Sequence, residues 1–193
     1  MQRKSELRRA AIGRRDALSV QEIRRRSAAA SSHLFGLPEM ESARTVMFFV
    51  SFGSEIDTVP MIEEALARGK RVVAPRAEPE GRGLRPCEVQ DPARDLTPGA
   101  HDIREPVAGC REVALEEIDV VIVPAAVWAE DGFRIGYGGG YYDRFLARLP
   151  RAMRVGLGLE VQVVPEVPRS DHDLPVQMLV TEAGVRRFDP PEA

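Results

Sequence analysis

Short apolar runs separated by helical segments are the feature of this sequence that most constrains its fold. These runs are rich in β-branched and aliphatic residues, and they occupy residues 45–50, 71–75, 118–123, 154–159 and 177–181. Continuous apolar strands are typical of parallel sheets that are buried on both faces. Helices are predicted between them, over residues 60–68 and 140–149. The alternation predicts an α/β domain with a mostly parallel, doubly covered sheet.

Two helices are predicted to open the chain. In the first, over residues 3–17, apolar residues such as Leu7 and Ala11 recur at helical spacing. Ser19 followed by Glu22 has the form of a capping box, so a second helix is predicted to begin there and run to about residue 35. We expect a single domain over residues 1–185, with a frayed tail over residues 186–193.

Composition places the protein among globular domains, and we expect it in the cytoplasm. Of its 193 residues, 44% are hydrophobic and 30% are charged. The longest apolar run, residues 120–129, is interrupted by Pro124 and is too short for a membrane span, so no membrane association is expected. Cys87 and Cys110 lie outside any C-x-x-C pair and are expected to be free thiols.

The charge of −3 is unevenly distributed along the chain. Residues 1–26 carry nine basic and three acidic side chains, a local charge of +6. Such a segment could bind nucleic acid, bind a phosphate-bearing small molecule or form a solvated helix face. Nucleic acid is the least favoured of these, because the segment has no interleaved aromatic residues and the remainder of the chain is acidic. We therefore expect no nucleic-acid partner.

A glycine-rich segment after the strand at 118–123 is the strongest functional signal. Four glycines stand within residues 136–140, and this backbone can turn successive N–H groups toward one anion. It is neither a Walker A loop nor a dinucleotide fingerprint. A flexible turn is the structural alternative, but Arg134, the neighbouring tyrosines and Asp143 favour a site for phosphate, a flat heterocycle and magnesium.

Three further groups are candidates for the same site. Asp173, in the polar run 171–173, could share a magnesium ion with Asp143, although a simple polar turn is the alternative. Glu55 follows the first buried strand, where ligands of parallel sheets bind. Lys4 and Arg8 share one helical face, and Lys4 is one of only two lysines among 27 basic residues.

In this order, these segments resemble the 5-formyltetrahydrofolate cyclo-ligase family. The resemblance covers nearly the whole chain, and residues 134–143 are its most specific part. It implies a three-layer α/β/α domain with N-terminal helices. It further implies the conversion of 5-formyltetrahydrofolate to 5,10-methenyltetrahydrofolate with ATP as co-substrate and Mg²⁺ as cofactor, through a phosphorylated formyl oxygen that N10 displaces.

The resemblance also implies roles for individual residues. The metal ligands would be Asp143 and Asp173, and the catalytic residues would be Arg134 and Lys4. The folate-binding residues would be Val50, Glu55, Trp128 and Tyr137. The ATP-binding residues would be Lys4, Arg8, Arg134, Ile135, Gly136, Tyr137, Gly138, Gly139, Gly140, Tyr141 and Tyr142. We expect a monomer, and an enzyme of the same fold with a different acceptor is the main alternative.

Overall fold

The structure is a computed structural model that describes residues 2–78, 83–99, 103–170 and 173–188. The helices are α1 (Gln2–Asp16), α2 (Val20–Phe35), α3 (Pro38–Ser42), α4 (Val59–Ala67), α5 (Pro92–Asp95) and α6 (Tyr141–Leu146). The strands are β1 (Thr45–Met47), β2 (Arg71–Glu78), β3 (Gly83–Val89), β4 (Leu96–Pro98), β5 (Arg104–Pro106), β6 (Val120–Val123), β7 (Val127–Ala129), β8 (Arg134–Ile135), β9 (Met153–Leu157), β10 (Val163–Val164), β11 (Met178–Thr181) and β12 (Gly184–Arg187).

A seven-stranded sheet forms the centre of the molecule, in the order β12-β11-β9-β6-β1-β2-β3. The five inner strands are parallel to one another, and antiparallel pairings add β12 and β3 at the two edges. The predicted α/β class with a mostly parallel sheet and N-terminal helices is confirmed.

Both faces of the sheet are buried, which explains the continuous apolar strands. Along β1, Val46 belongs to one hydrophobic cluster and Met47 to the other. The first cluster includes Leu34 of α2 and Ile62 of α4, whereas the second includes Phe145 of α6. Because successive side chains of a strand point to opposite faces, helices on both sides require apolar residues at every position.

The N-terminal helix packs against a separate three-stranded sheet. This sheet has the order β10-β7-β8, and its residues form a third cluster with Ala11 of α1. Its strands are two or three residues long, too short to stand out in the sequence. The small sheet carries β8, whose first residue is Arg134, so it links α1 directly to the glycine-rich segment.

Several predicted helix boundaries are confirmed, with one difference in capping. Ser19 caps α2, and its hydroxyl accepts a hydrogen bond from the Glu22 N–H at 3.1 Å. Thr58 immediately precedes α4, but its hydroxyl makes no cap hydrogen bond there. It accepts instead from the N–H of Ser51 at 2.9 Å, because it closes the loop that follows β1.

The prediction of free thiols is wrong. Cys87 of β3 and Cys110 form a disulfide, with their Cα atoms 5.7 Å apart. The disulfide could not be predicted from local sequence, because the two cysteines stand 23 positions apart. An isolated β-bridge between Cys87 and Glu112 brings the segment after β5 back beside β3, which places Cys110 within reach.

The ordered chain extends past the predicted domain end at residue 185. Arg187 pairs with Met178 in the sheet, and its guanidinium binds the Glu39 carboxylate. Residues 189–193 of the predicted tail lie outside the described residues. Within the described part of the chain, no helix combines the length and apolar character that a membrane crossing requires.

Candidate active site

A pocket of about 600 Å³ opens near the point where the strand order of the central sheet reverses. The chain adds β2 on one side of β1, whereas β6 and β9 lie on the other. Ligands of open α/β sheets bind at such a switch point, beyond the carboxyl ends of the strands. Val50 follows β1 here and Pro124 follows β6, and both line the pocket. Its other lining residues include Phe49, Phe52, Glu55, Ala77, Leu84, Arg104, Arg134, Gly136, Tyr137, Gly139, Gly140, Tyr141, Tyr142 and Asp143.

The glycine-rich segment forms one wall of this pocket. Gly138 and Gly140 have φ values of 107° and 66°, in the left-handed region that glycine adopts without steric cost. A Cβ at Gly139 would lie 2.6 Å from the Tyr141 ring, so the chain there has no room for a side chain. The helix that follows, α6, is shorter than the predicted 140–149.

Two basic residues of α1 bind candidate site residues. The Arg8 Nε donates to the carbonyl oxygen of Gly136 at 2.8 Å. The Lys4 Nζ donates to the Asp173 carboxylate at 2.8 Å and to the Ser170 hydroxyl at 3.3 Å. The structure therefore brings Arg8 to the glycine-rich segment, whereas Lys4 contacts the candidate metal ligand Asp173.

Arg134 is a buried cation in the wall of the pocket, with 7% of its surface exposed. One of its terminal nitrogens donates to the Asp143 carboxylate, and the other donates to the carbonyl oxygen of Leu174. Burial lowers the pKa of Arg134, and the charges of Asp143 and Asp173 oppose this effect. A guanidinium that is held on both sides in this way is oriented before any ligand binds.

Each candidate metal ligand is paired with a candidate phosphate ligand. Asp143 binds Arg134, Asp173 binds Lys4, and each carboxylate keeps its second oxygen without a hydrogen bond to any described residue. Among the described residues no cluster of three or more His, Cys, Asp and Glu side chains could hold a metal ion. Two carboxylates fit Mg²⁺, which prefers one or two of them together with phosphate oxygens and water. Asp171 and His172 lie outside the described residues.

Glu55 lines the pocket from the loop between β1 and α4. Ser51 and Thr58 close this loop through reciprocal hydrogen bonds between backbone N–H and hydroxyl groups. The Glu55 carboxylate is 6% exposed and accepts hydrogen bonds from the Tyr137 hydroxyl and the Phe52 N–H. Burial raises the pKa of the Glu55 carboxyl to about 7, against the opposing effects of Tyr137, Arg15 and the Phe52 N–H.

Tyr137 connects the glycine-rich segment to this carboxylate. Its side chain is 39% exposed, but its hydroxyl is enclosed between Glu55 and Arg15, whose Nη1 donates to it at 2.7 Å. The Tyr137 ring also packs against Phe52, with the centroids 5.2 Å apart. Tyr142 lines the pocket nearby, and its hydroxyl is buried with no hydrogen-bond partner among the described residues.

Trp128 does not share the position of the other predicted folate ligands. Val50, Glu55 and Tyr137 line the pocket, whereas Trp128 is fully buried in the second hydrophobic cluster. Its ring lies over β9, where Gly156 leaves room for it. Its placement assigns it to the core rather than to the pocket wall.

Adding a methyl group beneath this indole should destabilise the protein. A Cβ at Gly158 would lie 2.6 Å from the Trp128 Nε1, so Gly158→Ala is expected to lower the free energy of unfolding by about 1–3 kcal/mol in a urea titration. Gly13→Ala is the matched control. Its Cβ would meet nothing within 4 Å in the interior of α1, so a stabilisation of up to roughly 1 kcal/mol is expected. Equal stabilities for the two variants would contradict this description of the Trp128 site.

The chain is similar to proteins of one known family over nearly its whole length. The profile of the 5-formyltetrahydrofolate cyclo-ligase family matches residues 1–182. The chain belongs to this family. The Escherichia coli (strain K12) 5-formyltetrahydrofolate cyclo-ligase is 33% identical over 175 residues, which cover 89% of this chain and 96% of that protein. The family resemblance seen in the sequence is confirmed, and so is the prediction of a ligase of folate metabolism.

Solved structures agree with the family assignment. The NMR structure of Aquifex aeolicus 5,10-methenyltetrahydrofolate synthetase superposes with a TM-score of 0.84 and 36% sequence identity, covering 98% of this chain and 95% of that one. The 5,10-methenyltetrahydrofolate synthetase of Mycoplasma pneumoniae is 19% identical, with a TM-score of 0.75, and it supports the fold alone. The coverage shows that the family fold extends over the whole described chain.

Arg15 of α1 lies behind the pocket wall, a position that was not predicted from the sequence. Arg15 is 3% exposed, and it contacts Ser54, Tyr137 and Glu55. A signal was present, because Arg15 stands eleven residues after Lys4, close to three helical turns, and so lies on the helix face that carries Lys4 and Arg8. Arginines at neighbouring positions of the same helix obscured it.

Proposed function

We propose that the protein catalyses the ATP- and Mg²⁺-dependent cyclisation of 5-formyltetrahydrofolate to 5,10-methenyltetrahydrofolate, releasing ADP and phosphate. The observation that carries the proposal is one pocket whose wall combines the buried Arg134, a glycine-rich backbone and the buried Glu55 carboxylate. The family names of the relatives supply the folate substrate. The residues of the pocket supply the reasons for ATP and the metal ion.

The cationic end of the pocket suits the triphosphate of ATP. Arg8 binds the glycine-rich segment, Arg134 binds Asp143 just after it, and Lys4 binds Asp173, so each already binds a protein oxygen that phosphate oxygens can replace. Transfer of Lys4 and Arg134 to phosphate would free the carboxylates of Asp173 and Asp143. Both carboxylates would then hold Mg²⁺, which would supply neutralisation of charge on the phosphate oxygens.

The other end of the pocket suits the folate ring. A carboxylate accepts two parallel N–H donors, and Glu55 is held for such a contact by the closed loop around it. Val50, Phe49 and Tyr137 supply apolar surface on which a flat heterocycle can pack. Trp128 is not included in this set because it is buried in the core.

The proposed chemistry asks the protein mainly for alignment and charge stabilisation. The formyl oxygen attacks the γ-phosphorus of ATP, and ADP leaves. Attack by N10 on the activated formyl carbon then expels phosphate, and the N10 proton is lost as the ring closes. Lys4 and Arg134 would stabilise the negative charge on the transferred phosphoryl group. No nucleophilic side chain is needed for either step.

The test is the near-ultraviolet absorbance of the protein mixed with 5-formyltetrahydrofolate, Mg²⁺ and ATP. We expect the methenyl chromophore to appear, and we expect no change when either ATP or Mg²⁺ is omitted. A flat trace from folded protein that binds ATP would reject the folate acceptor. It would favour the alternative of a same-fold enzyme with another acceptor, which a substrate screen would then identify.

The proposal includes the location, oligomeric state and partners of the protein. It is proposed to act on small-molecule substrates in the cytoplasm, as a monomer. No nucleic-acid or membrane partner is proposed. Light scattering of the purified protein tests the oligomeric state, and retention on immobilised nucleic acid at low salt tests the excluded partner.

A further inference from the structure

We propose that Arg15 is a positioning residue that holds Tyr137 and the Glu55 carboxylate in place for the acceptor substrate. The proposal rests on the proposed function for the identity of the acceptor. Its geometric basis does not depend on that function.

The contacts of Arg15 reach two separate loops of the pocket. Its Nη1 donates to the Tyr137 hydroxyl at 2.7 Å and lies 3.8 Å from the nearer Glu55 oxygen. Its Nε donates to the Ser54 hydroxyl at 2.9 Å, and Ser54 in turn donates to Asp16. One guanidinium therefore joins the end of α1 to both the loop after β1 and the glycine-rich segment.

The same face of α1 carries Lys4 and Arg8. Arg8 and Arg15 bind consecutive residues of the glycine-rich segment, Gly136 and Tyr137, while Lys4 binds Asp173. Of these three cations, Arg15 is the one that also lies beside Glu55. Its replacement should therefore act first on the acceptor, whereas Lys4 and Arg8 keep their own contacts.

The charge of Arg15 also acts on Glu55. Facing this carboxylate are Arg15 from α1, Tyr137 from the glycine-rich segment and Tyr142 from α6, and Asp16 lies behind Ser54. Burial raises the pKa of Glu55 to about 7, while Tyr137 and Arg15 lower it. Removal of Arg15 should therefore move the titration of Glu55 to higher pH, and less of the carboxylate would be ionised near neutrality.

The first experiment measures this titration in the ligand-free protein, so it does not depend on the substrate. The Glu55 carboxyl is followed by ¹³C NMR in glutamate-labelled protein and assigned with Glu55→Gln. We expect a midpoint near 7 in the wild type, a higher midpoint in Arg15→Met, and a return toward the wild-type value in Arg15→Lys. An unchanged midpoint in folded Arg15→Met would overturn the proposal. Should that variant not fold, Tyr137→Phe removes the shared hydroxyl and must also raise the midpoint.

The second experiment separates positioning from a general loss of structure. Arg15→Met is expected to raise the KM for 5-formyltetrahydrofolate about 10-fold or more, while the KM for ATP changes less than about 2-fold. Arg14→Met is the matched control, because the neighbouring Arg14 donates its Nε to the Val161 carbonyl on an exposed surface. Equal increases in both KM values would indicate a structural role and overturn the proposal. Absence of turnover in the wild type would instead reject the proposed function, and the NMR midpoint would still test Arg15.

Discussion

Replacing Arg134 with alanine is expected to lower kcat at least about 100-fold, the scale of losing one preorganised donor to a developing negative charge. Arg134 is buried, and Asp143 and the Leu174 carbonyl oxygen fix its guanidinium at the cationic end of the pocket. Water that filled the space of the missing guanidinium could not supply a positive charge held in a fixed position. Turnover under saturating ATP and 5-formyltetrahydrofolate measures the effect.

Two variants make this result specific. Arg134→Lys keeps the positive charge but lacks the planar guanidinium that binds Asp143 and the Leu174 carbonyl oxygen at the same time. An intermediate kcat is therefore expected. Arg148→Met removes an arginine from the exposed turn that follows α6 and should retain wild-type turnover. Wild-type kcat in folded Arg134→Ala would remove this residue from the mechanism.

Replacing Glu55 with glutamine is expected to lower kcat/KM for 5-formyltetrahydrofolate by about 10- to 100-fold. The estimate corresponds to ~1.5–3 kcal/mol for hydrogen bonds to an ionised group. The KM for ATP should remain near the wild-type value, because the polar contacts of Lys4, Arg8 and Arg134 are with Asp173, Ser170, Gly136, Asp143 and Leu174 and do not include Glu55. Glu63→Gln, on the exposed face of α4, is the matched control for removal of one glutamate charge.

The pH dependence of the same parameter follows from the state of Glu55. The carboxylate must be ionised to accept two N–H donors, and its pKa is raised by burial to about 7. In the wild type kcat/KM for the folate should therefore rise with pH and level off above about 7, since this parameter reports groups of the free enzyme. Glu55→Gln should lack this step. Persistence of the step in Glu55→Gln would assign the titration to another group.

Much of the fold could be predicted because its central strands are buried on both faces. Segments such as residues 118–123 stand out against their polar flanks, and Ser19 caps α2 as its sequence position indicated. The small sheet that carries Arg134 could not be found, because β7, β8 and β10 depend on tertiary pairing rather than on local pattern. The disulfide between Cys87 and Cys110 depends in the same way on a long-range approach of two segments.

Site residues could be predicted where both the side-chain chemistry and the position in a helix or strand can be read from the local sequence. Lys4 and Arg8 share a helix face, and Glu55 follows the first buried strand, so these candidates could be named from secondary structure alone. Arg15 escaped notice because its role depends on contacts with Tyr137 and Ser54 that the sequence does not encode locally. Trp128 was misplaced for a related reason, since only the folded sheet shows that Gly156 receives its ring.

The most direct test of the proposed chemistry follows the formyl oxygen. 5-Formyltetrahydrofolate labelled with ¹⁸O in the formyl group is converted with unlabelled ATP, and the released phosphate is analysed by mass spectrometry. Alignment of the γ-phosphate with the formyl oxygen at Arg134 and Lys4 predicts one ¹⁸O atom in each phosphate released. Methenyl product accompanied by unlabelled phosphate would contradict phosphorylation of the formyl oxygen in this pocket.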